Sequence, residues 1–457
     1  MTETLIDARS RGYARADAPR GVRRILLITT TFPPHAKVGA IRAERLARTF
    51  SAAGHEVTVL TVRLPDEAGS ELRGDSGARE VVALDVGARL ASRVARLMGR
   101  MRPVARRAGV QTAASGDGSA LPVRKRGVVR RFTLGLLSMP DSESHFIRPA
   151  VNAVRRWENG AFDIVYSTAP PFSAHVAATR IASALGARLI LEFRDPWNHP
   201  HSKRGVREFA LTRWLDDRLE RRCVKAADSI VTVSAGAAEL IRRVPSAPDI
   251  HVILNGVPSE LLDSPRTQRE GPLRIIYAGS LYLGRDPRKF LDALALVVQR
   301  NGWSPDDLRL EFLGECRRFR SHSIEDYVRQ LGIAGHTTFV DRVPHAEAAR
   351  RIATADMTLL LAQQQPIQIP NKLYDYLAMR TPIIAYADPE GETARMLHEV
   401  GGHLVLDGAD QERDSGMIER LLLDRASDRH SPVGDLAVLD RWRADRQMQL
   451  LLEALEL

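Results

Sequence analysis

The chain has 457 residues, 44% hydrophobic and 27% charged, the balance of a soluble globular protein and too long for one ordinary core. No apolar run approaches the ~18 residues that a bilayer-spanning helix needs. Two cysteines, Cys223 and Cys316, exclude a disulfide framework and a zinc spacing and read as buried thiols in a reducing cytoplasm.

Residues 1–20 are polar, lack the apolar stretch of a signal peptide and read as a disordered tail. A buried strand, Arg24 to Thr29, is followed by a Pro33-Pro34 and Gly39 loop. A helix carrying Ile41, Leu46 and Phe50 comes next, and then Val57 to Leu60. This is a βαβ unit, and its near-continuous apolar strands imply a parallel sheet covered on both faces.

A basic excursion over 88–131 interrupts the pattern. Twelve Arg or Lys stand there against one acid, Asp117, so the whole net charge of +10 is local to it. Arg89, Arg93, Arg96, Arg100 and Arg107 form one helical stripe beside Leu90, Val94, Leu97 and Met101. Such a basic amphipathic helix over 89–107 fits docking on an anionic membrane surface, or a surface helix with solvated arginines. Nucleic acid is not expected, because no aromatic residues interleave with the cations.

Strands recur at Ile164–Tyr166, Arg188–Leu191, Ser229–Val233 and Ile250–Leu254, and 258–272 reads as a linker. Beyond it the alternation restarts with Leu273–Gly279, a helix from Pro287 to Gln299, and strands at 310–313, 338–340, 357–361 and 383–385. The fold class is therefore α/β, with two doubly wound parallel-sheet, Rossmann-like domains and a cleft between them. Their expected spans are 21–262 and 263–435, followed by a C-terminal helix over 436–457 that can pack back on the first domain.

Three segments carry candidate chemistry. In Gly279 to Lys289 a strand ends in glycine and a helix starts with Arg288 and Lys289 in its first turn. Cations are unfavourable there unless an anion such as a diphosphate offsets them; solvated side chains are the bland alternative. Pro370 to Pro382 brackets a short helix with Leu373, Tyr376 and Leu377 on one face and Asn371 and Asp375 on the other. Asp375 can hold ribose hydroxyls, or simply be solvated. Leu191 to Trp197 ends a buried strand with Arg194 and Asp195, a guanidinium for oxyanions and a carboxylate for a proton, or else a pair that locks the loop. His199 and His201 nearby do not make a metal site, and no metal is expected.

These segments resemble the family 4 glycosyltransferases of the two-domain GT-B fold, from about residue 23 to about residue 400. The likeness is carried by Phe32 to Arg42, Gly54 to Val57, Phe162 to Tyr166, Phe193 to Trp197, Ala227 to Ser234, Asn255 to Val257, Gly279 to Lys289 and Pro370 to Ala378. It implies retaining transfer of a sugar from a nucleotide-diphosphate-sugar donor, held by the C-terminal domain, to a glycan or lipid-linked acceptor, held by the N-terminal domain. No cofactor is required.

By position, Arg285, Arg288 and Lys289 would be the phosphate cations, Gly39 would let backbone approach the diphosphate, and Asp375 would hold the ribose. Asp195, Arg194, Arg285 and Lys289 are the implied catalytic set; Gly39, Gly279, Ser280, Arg288, Lys372 and Asp375 are the donor-binding set. The expected location is cytoplasmic, peripheral at the inner membrane face. Three departures stand out. The family's paired glutamates become Ile367 and Asp375, its arginine after the strand-end glycine is Ser280, and Arg194 stands where many relatives carry histidine. They keep open a nucleotide-sugar epimerase or hydrolase, or a degenerate sugar-binding relative.

Overall fold

The computed structural model describes residues 21–33, 38–63, 76–84, 86, 128–198, 203, 206–264, 270–282, 284–429 and 431–457. The basic stripe over 89–107 and the pair His199 and His201 lie outside them. The chain divides into two compact units. One comprises the chain up to Val233 with Ala237–Ile253 and Met448–Leu457; the other comprises Ser234–Gly236 with Leu254–Gln447.

The first unit is built on seven parallel strands in the order β3-β2-β1-β4-β5-β6-β7. These are β1 (Arg24–Ile28), β2 (Glu56–Val62), β3 (Glu80–Leu84), β4 (Ile164–Ala169), β5 (Arg188–Phe193), β6 (Ser229–Thr232) and β7 (Ile250–Val252). Alternation along β1 explains its unbroken apolar run. Leu26 and Ile28 pack on one side with Phe146, Phe172 and Ile181, and Ile25 and Leu27 pack on the other with Leu46, Phe50, Leu451 and Leu455. The last two come from the end of the chain, and Arg188 fixes them by donating to the Leu455 carbonyl at 2.9 Å.

The second unit carries six parallel strands in the order β12-β9-β8-β13-β14-β15. They are β8 (Leu273–Ala278), β9 (Leu308–Leu313), β12 (Thr337–Val340), β13 (Met357–Ala362), β14 (Ile383–Ala387) and β15 (Leu404–Leu406); a small hairpin supplies β10 (Arg318–Phe319) and β11 (His322–Ser323). Ile275 and Tyr277 pack against the helix Arg288–Asn301 through Phe290 and Leu294. Ile276 faces Leu373, Tyr376 and Leu377 of the helix Asn371–Ala378. In both units strand order reverses beside the first strand, at β1/β4 and at β8/β13, so the carboxyl ends of those strands open a crevice.

The single C-terminal helix expected over 436–457 is two, Leu436–Arg441 and Ala444–Leu455. The break has a local cause. The Trp442 carbonyl accepts from the Val257 amide at 2.7 Å and the Ala444 amide donates to the Val257 carbonyl at 2.9 Å, so this backbone is used in a β-bridge rather than a helix. No helix among the described residues is long and apolar enough to cross a membrane.

Candidate active site

In the first unit, the segment after β5 meets the start of the helix Val38–Ala52. A methyl built on Gly39 would lie 2.6 Å from an Arg194 terminal nitrogen and 2.9 Å from Thr31 Oγ1, so only glycine lets the guanidinium approach the backbone here. The Arg194 Nη2 donates to the Pro170 carbonyl, and its Nε is buried without a partner among the described residues. Burial pulls its pKa down, against the opposing pull of Glu192 and Asp195.

Beneath it lies a charge pair that sequence reasoning missed. Arg42 donates to Glu192 Oε1 through Nε at 3.0 Å and Nη2 at 2.8 Å, and Thr168 Oγ1 donates to Oε2 at 2.5 Å. Burial pushes the Glu192 carboxyl up, but Arg42 and Thr168 hold it below the usual range. Next to them, His175 shares a 2.9 Å hydrogen bond with Ser167 Oγ through Nδ1, and burial, helped by Arg194, pushes its pKa down to about 3. His175 is therefore neutral, and the positive charge at this strand end belongs to Arg194. A glutamate inside the apolar run Leu189 to Phe193 was the one available sign of this network.

In the second unit, β8 is followed by Gly279, whose φ of +138° is a glycine conformation. A Cβ there would lie 2.7 Å from Lys372 Nζ. Lys372 thus reaches from the first turn of its helix to the end of β8, where its Nζ stands 4.0 Å from the Tyr277 ring centroid. That Nζ is buried and has no hydrogen-bond partner among the described residues. Its pKa is well below the ordinary lysine range, through burial first and the nearby Arg285 second. The Arg285 guanidinium lies 4.3 Å from the Tyr282 ring centroid, and its Nε is also buried without a partner. Arg285 and Lys372 lie close together here, and among the described residues no carboxylate pairs with either.

Backbone packing holds the loop. The Cys316 Sγ donates to the Gly279 carbonyl at 3.0 Å, Tyr277 Oη donates to the Ser280 carbonyl at 3.0 Å, and Gln363 Nε2 donates to the Asp286 carbonyl at 2.8 Å. Ser280 therefore contributes backbone, while Lys372 fills the space beside the glycine. Arg288 is neutralised inside the chain: its guanidinium grips both oxygens of Asp286 at 2.6–3.1 Å. That cation therefore has an anion within the chain, Asp286. Lys289 donates to the Gly408 carbonyl. The helix Asn371–Ala378 leaves Asp375 half-buried. The structure joins Gly279, Arg285 and Lys372 in one group and Gly39 with Arg194 in another, and gives Arg288 and Lys289 local partners.

Residues 39–256 match the family model described as "Glycosyl transferase 4-like domain", and residues 272–424 match that of "Glycosyl transferases group 1". No curated protein sequence matches the chain. Among solved structures, the sucrose-phosphate synthase of Thermosynechococcus elongatus is similar at a TM-score of 0.61 and 16% identity, over 95% of this chain and 98% of that one. HepE of Anabaena, solved in complex with UDP-glucose, is similar at 0.59 and 12% over 95% and 99%. A glycosyltransferase of Rickettsia africae is similar at 0.57 and 11% over 95% and 98%. At these identities the likeness speaks for the fold. With the two family models and the paired parallel sheets, it establishes that the chain is an enzyme of the GT-B glycosyltransferases and belongs with family 4.

Proposed function

We propose that this glycosyltransferase moves a sugar from a nucleoside-diphosphate-sugar to a polysaccharide or lipid-linked acceptor with retained configuration. The observation that carries the donor assignment is the buried, unpaired Lys372 Nζ beside Gly279 and Arg285. A desolvated lysine beside a guanidinium at the carboxyl end of a parallel strand is costly alone and favourable around a diphosphate. The same charges stabilise the diphosphate as negative charge develops on it during departure. Asp375, on the same helix as Lys372, would receive the ribose hydroxyls. Arg194, backed by Glu192 and accompanied by Asp195 and Gly39, supplies the polar end of the acceptor unit. Retention rests on the family resemblance, and the UDP-glucose held by HepE supports a donor of this class.

A second observation favours an acceptor at a membrane surface. The helix Val128–Leu137 meets the segment before the helix Ala210–Ala226, with Phe132 and Phe209 ring centroids 5.4 Å apart. These helices expose Val128, Val129, Leu136, Leu211 and Trp214, the tryptophan at 52%, among the exposed Arg131, Arg213 and Arg218. Apolar side chains ringed by arginines suit an anionic leaflet. They support a peripheral position on the cytoplasmic side, where the basic residues over 89–107 would add attraction.

The test is release of nucleoside diphosphate from a panel of UDP-, ADP-, GDP- and dTDP-sugars, with and without lipid extract, with the product anomer read by NMR. Release that depends on the extract supports transfer. Equal release without extract indicates a hydrolase, interconversion without release an epimerase, and no turnover of any donor refutes the enzyme assignment to this substrate class.

A further inference from the structure

Glu392 is a buried carboxylate, 7% exposed, at the carboxyl end of β14 and the start of the helix Glu392–Val400. Its backbone is docked on the segment that leads from β13 to Lys372. The Glu392 amide donates to the Pro366 carbonyl at 2.7 Å, and Thr393 Oγ1 donates to the Gln368 carbonyl at 3.2 Å, so the two contacts flank Ile367. Gly236, which clusters with this second unit, donates its amide to Glu392 Oε1 at 2.5 Å. A Cβ built on Gly236 would lie 2.8 Å from Ile367 Cγ2 and 3.1 Å from Glu392 Oε1, so the carboxylate stands beside the Ile367 side chain.

The two oxygens are used unequally. Oε1 accepts from Gly236 and forms an ion pair with Arg395 at 3.0 Å, whereas Oε2 has no partner among the described residues and is open to solvent. The anchor on Oε1 fixes the group's orientation and leaves Oε2 as a preset acceptor. A carboxylate repels phosphate and binds hydroxyls. The carboxyl end of this sheet therefore presents cations at β8 and β13 and an acceptor at β14, a division that matches a diphosphate joined to a polyol.

We propose that Glu392 receives hydrogen bonds from hydroxyls of the transferred sugar and sets which sugar is accepted. This inference rests on the nucleotide-sugar reading above. Isothermal titration of the full chain and its E392A and E392Q variants, with UDP, ADP and GDP and with their glucose, galactose and N-acetylglucosamine conjugates, tests it. Nucleoside diphosphate Kd should stay within about twofold in both variants, while the Kd of the preferred conjugate rises about tenfold or more in E392A and less in E392Q. Equal weakening of diphosphate and conjugate, or no weakening of either, overturns the proposal and leaves the donor assignment standing. A wild-type chain that binds none of the ligands refutes the donor assignment itself. If E392A fails to fold, the isosteric E392Q, which keeps the Oε1-side acceptor, decides the question by the same ratio.

Discussion

Replacing Lys372 with methionine should stabilise the unliganded enzyme and weaken its grip on nucleotides. Methionine keeps an unbranched apolar stem of similar reach and removes the ammonium. In the wild type, the Nζ lies 4.0 Å from the Tyr277 ring centroid, a contact worth about 1–2 kcal/mol. Against this stand burial without a counter-ion, an effective penalty of several kcal/mol even after relaxation, and repulsion from Arg285. The difference leaves a gain of about 1–2 kcal/mol in the variant, or a Tm higher by about 2–8 °C for a unit of this size. Truncating one partner of a buried charge pair costs about 2–5 kcal/mol, so nucleoside diphosphate affinity should fall about 30-fold or more.

The pH dependence gives the same reasoning a sign. The folded-state pKa of Lys372 is depressed, so between it and the ordinary 10.5 the unfolded chain carries a proton that the folded chain has shed. Its contribution to stability therefore rises with pH across that window, and the methionine variant lacks the rise. An anion in the pocket restores the proton, so nucleotide binding should take up protons and weaken as pH climbs through the depressed pKa. Thermal melts across pH, and titration calorimetry in buffers of different ionisation enthalpy, read both effects. A K372M enzyme with a lower Tm and unchanged diphosphate affinity would refute the argument.

Other outcomes follow from the same geometry. Gly279→Ala puts a Cβ at the position 2.7 Å from Lys372 Nζ in a backbone with φ of +138°, so nucleotide affinity should fall by an order of magnitude or more in titration calorimetry. Arg42→Met leaves the Glu192 carboxylate buried without its main partner and should cost about 3–5 kcal/mol in urea unfolding; the double variant with Glu192→Met should recover most of that loss. Burial raises the Glu220 carboxyl to about 7, so its folded form retains a proton between pH 4.5 and 7 and stability falls as pH rises through that range. Glu220→Gln should therefore raise Tm more at pH 8 than at pH 5. Trp214→Glu should weaken co-sedimentation with anionic vesicles and leave turnover of a soluble acceptor unchanged.

The two sheets were legible because β1, β5, β8 and β13 are buried on both faces and announce themselves as apolar runs. The edge strands β3 and β15 were not, since a charged segment surrounds one and the other has three residues. Gly279, Arg285 and Lys372 were nameable from strand-end position, but their convergence depends on β8 and β13 being neighbours, a pairing that sets Met357 against Ile275, 82 positions away. Arg42 and Glu192 stand 150 residues apart, and only the finished sheet shows that they share one charge network. The ion pair of Arg288 was hidden for the opposite reason. Its partner, Asp286, is two residues away, yet a proline between them hides the turn that joins their side chains.

The placement of Leu451 and Leu455 in the first unit's core carries a consequence for synthesis on the ribosome. Residues 254–447 are translated between Ile253 and the segment Met448–Leu457 that completes that unit. At about 5–20 residues per second the emerging chain waits about 10–40 s with the apolar face of Phe50, Tyr166 and Ile190 uncovered. The intervening unit, all of whose segments have been translated once Gln447 is made, can close first. The amino-terminal half then needs chaperone cover during that interval, and dissected expression of it will require grafting the final helix rather than cutting after Ile253.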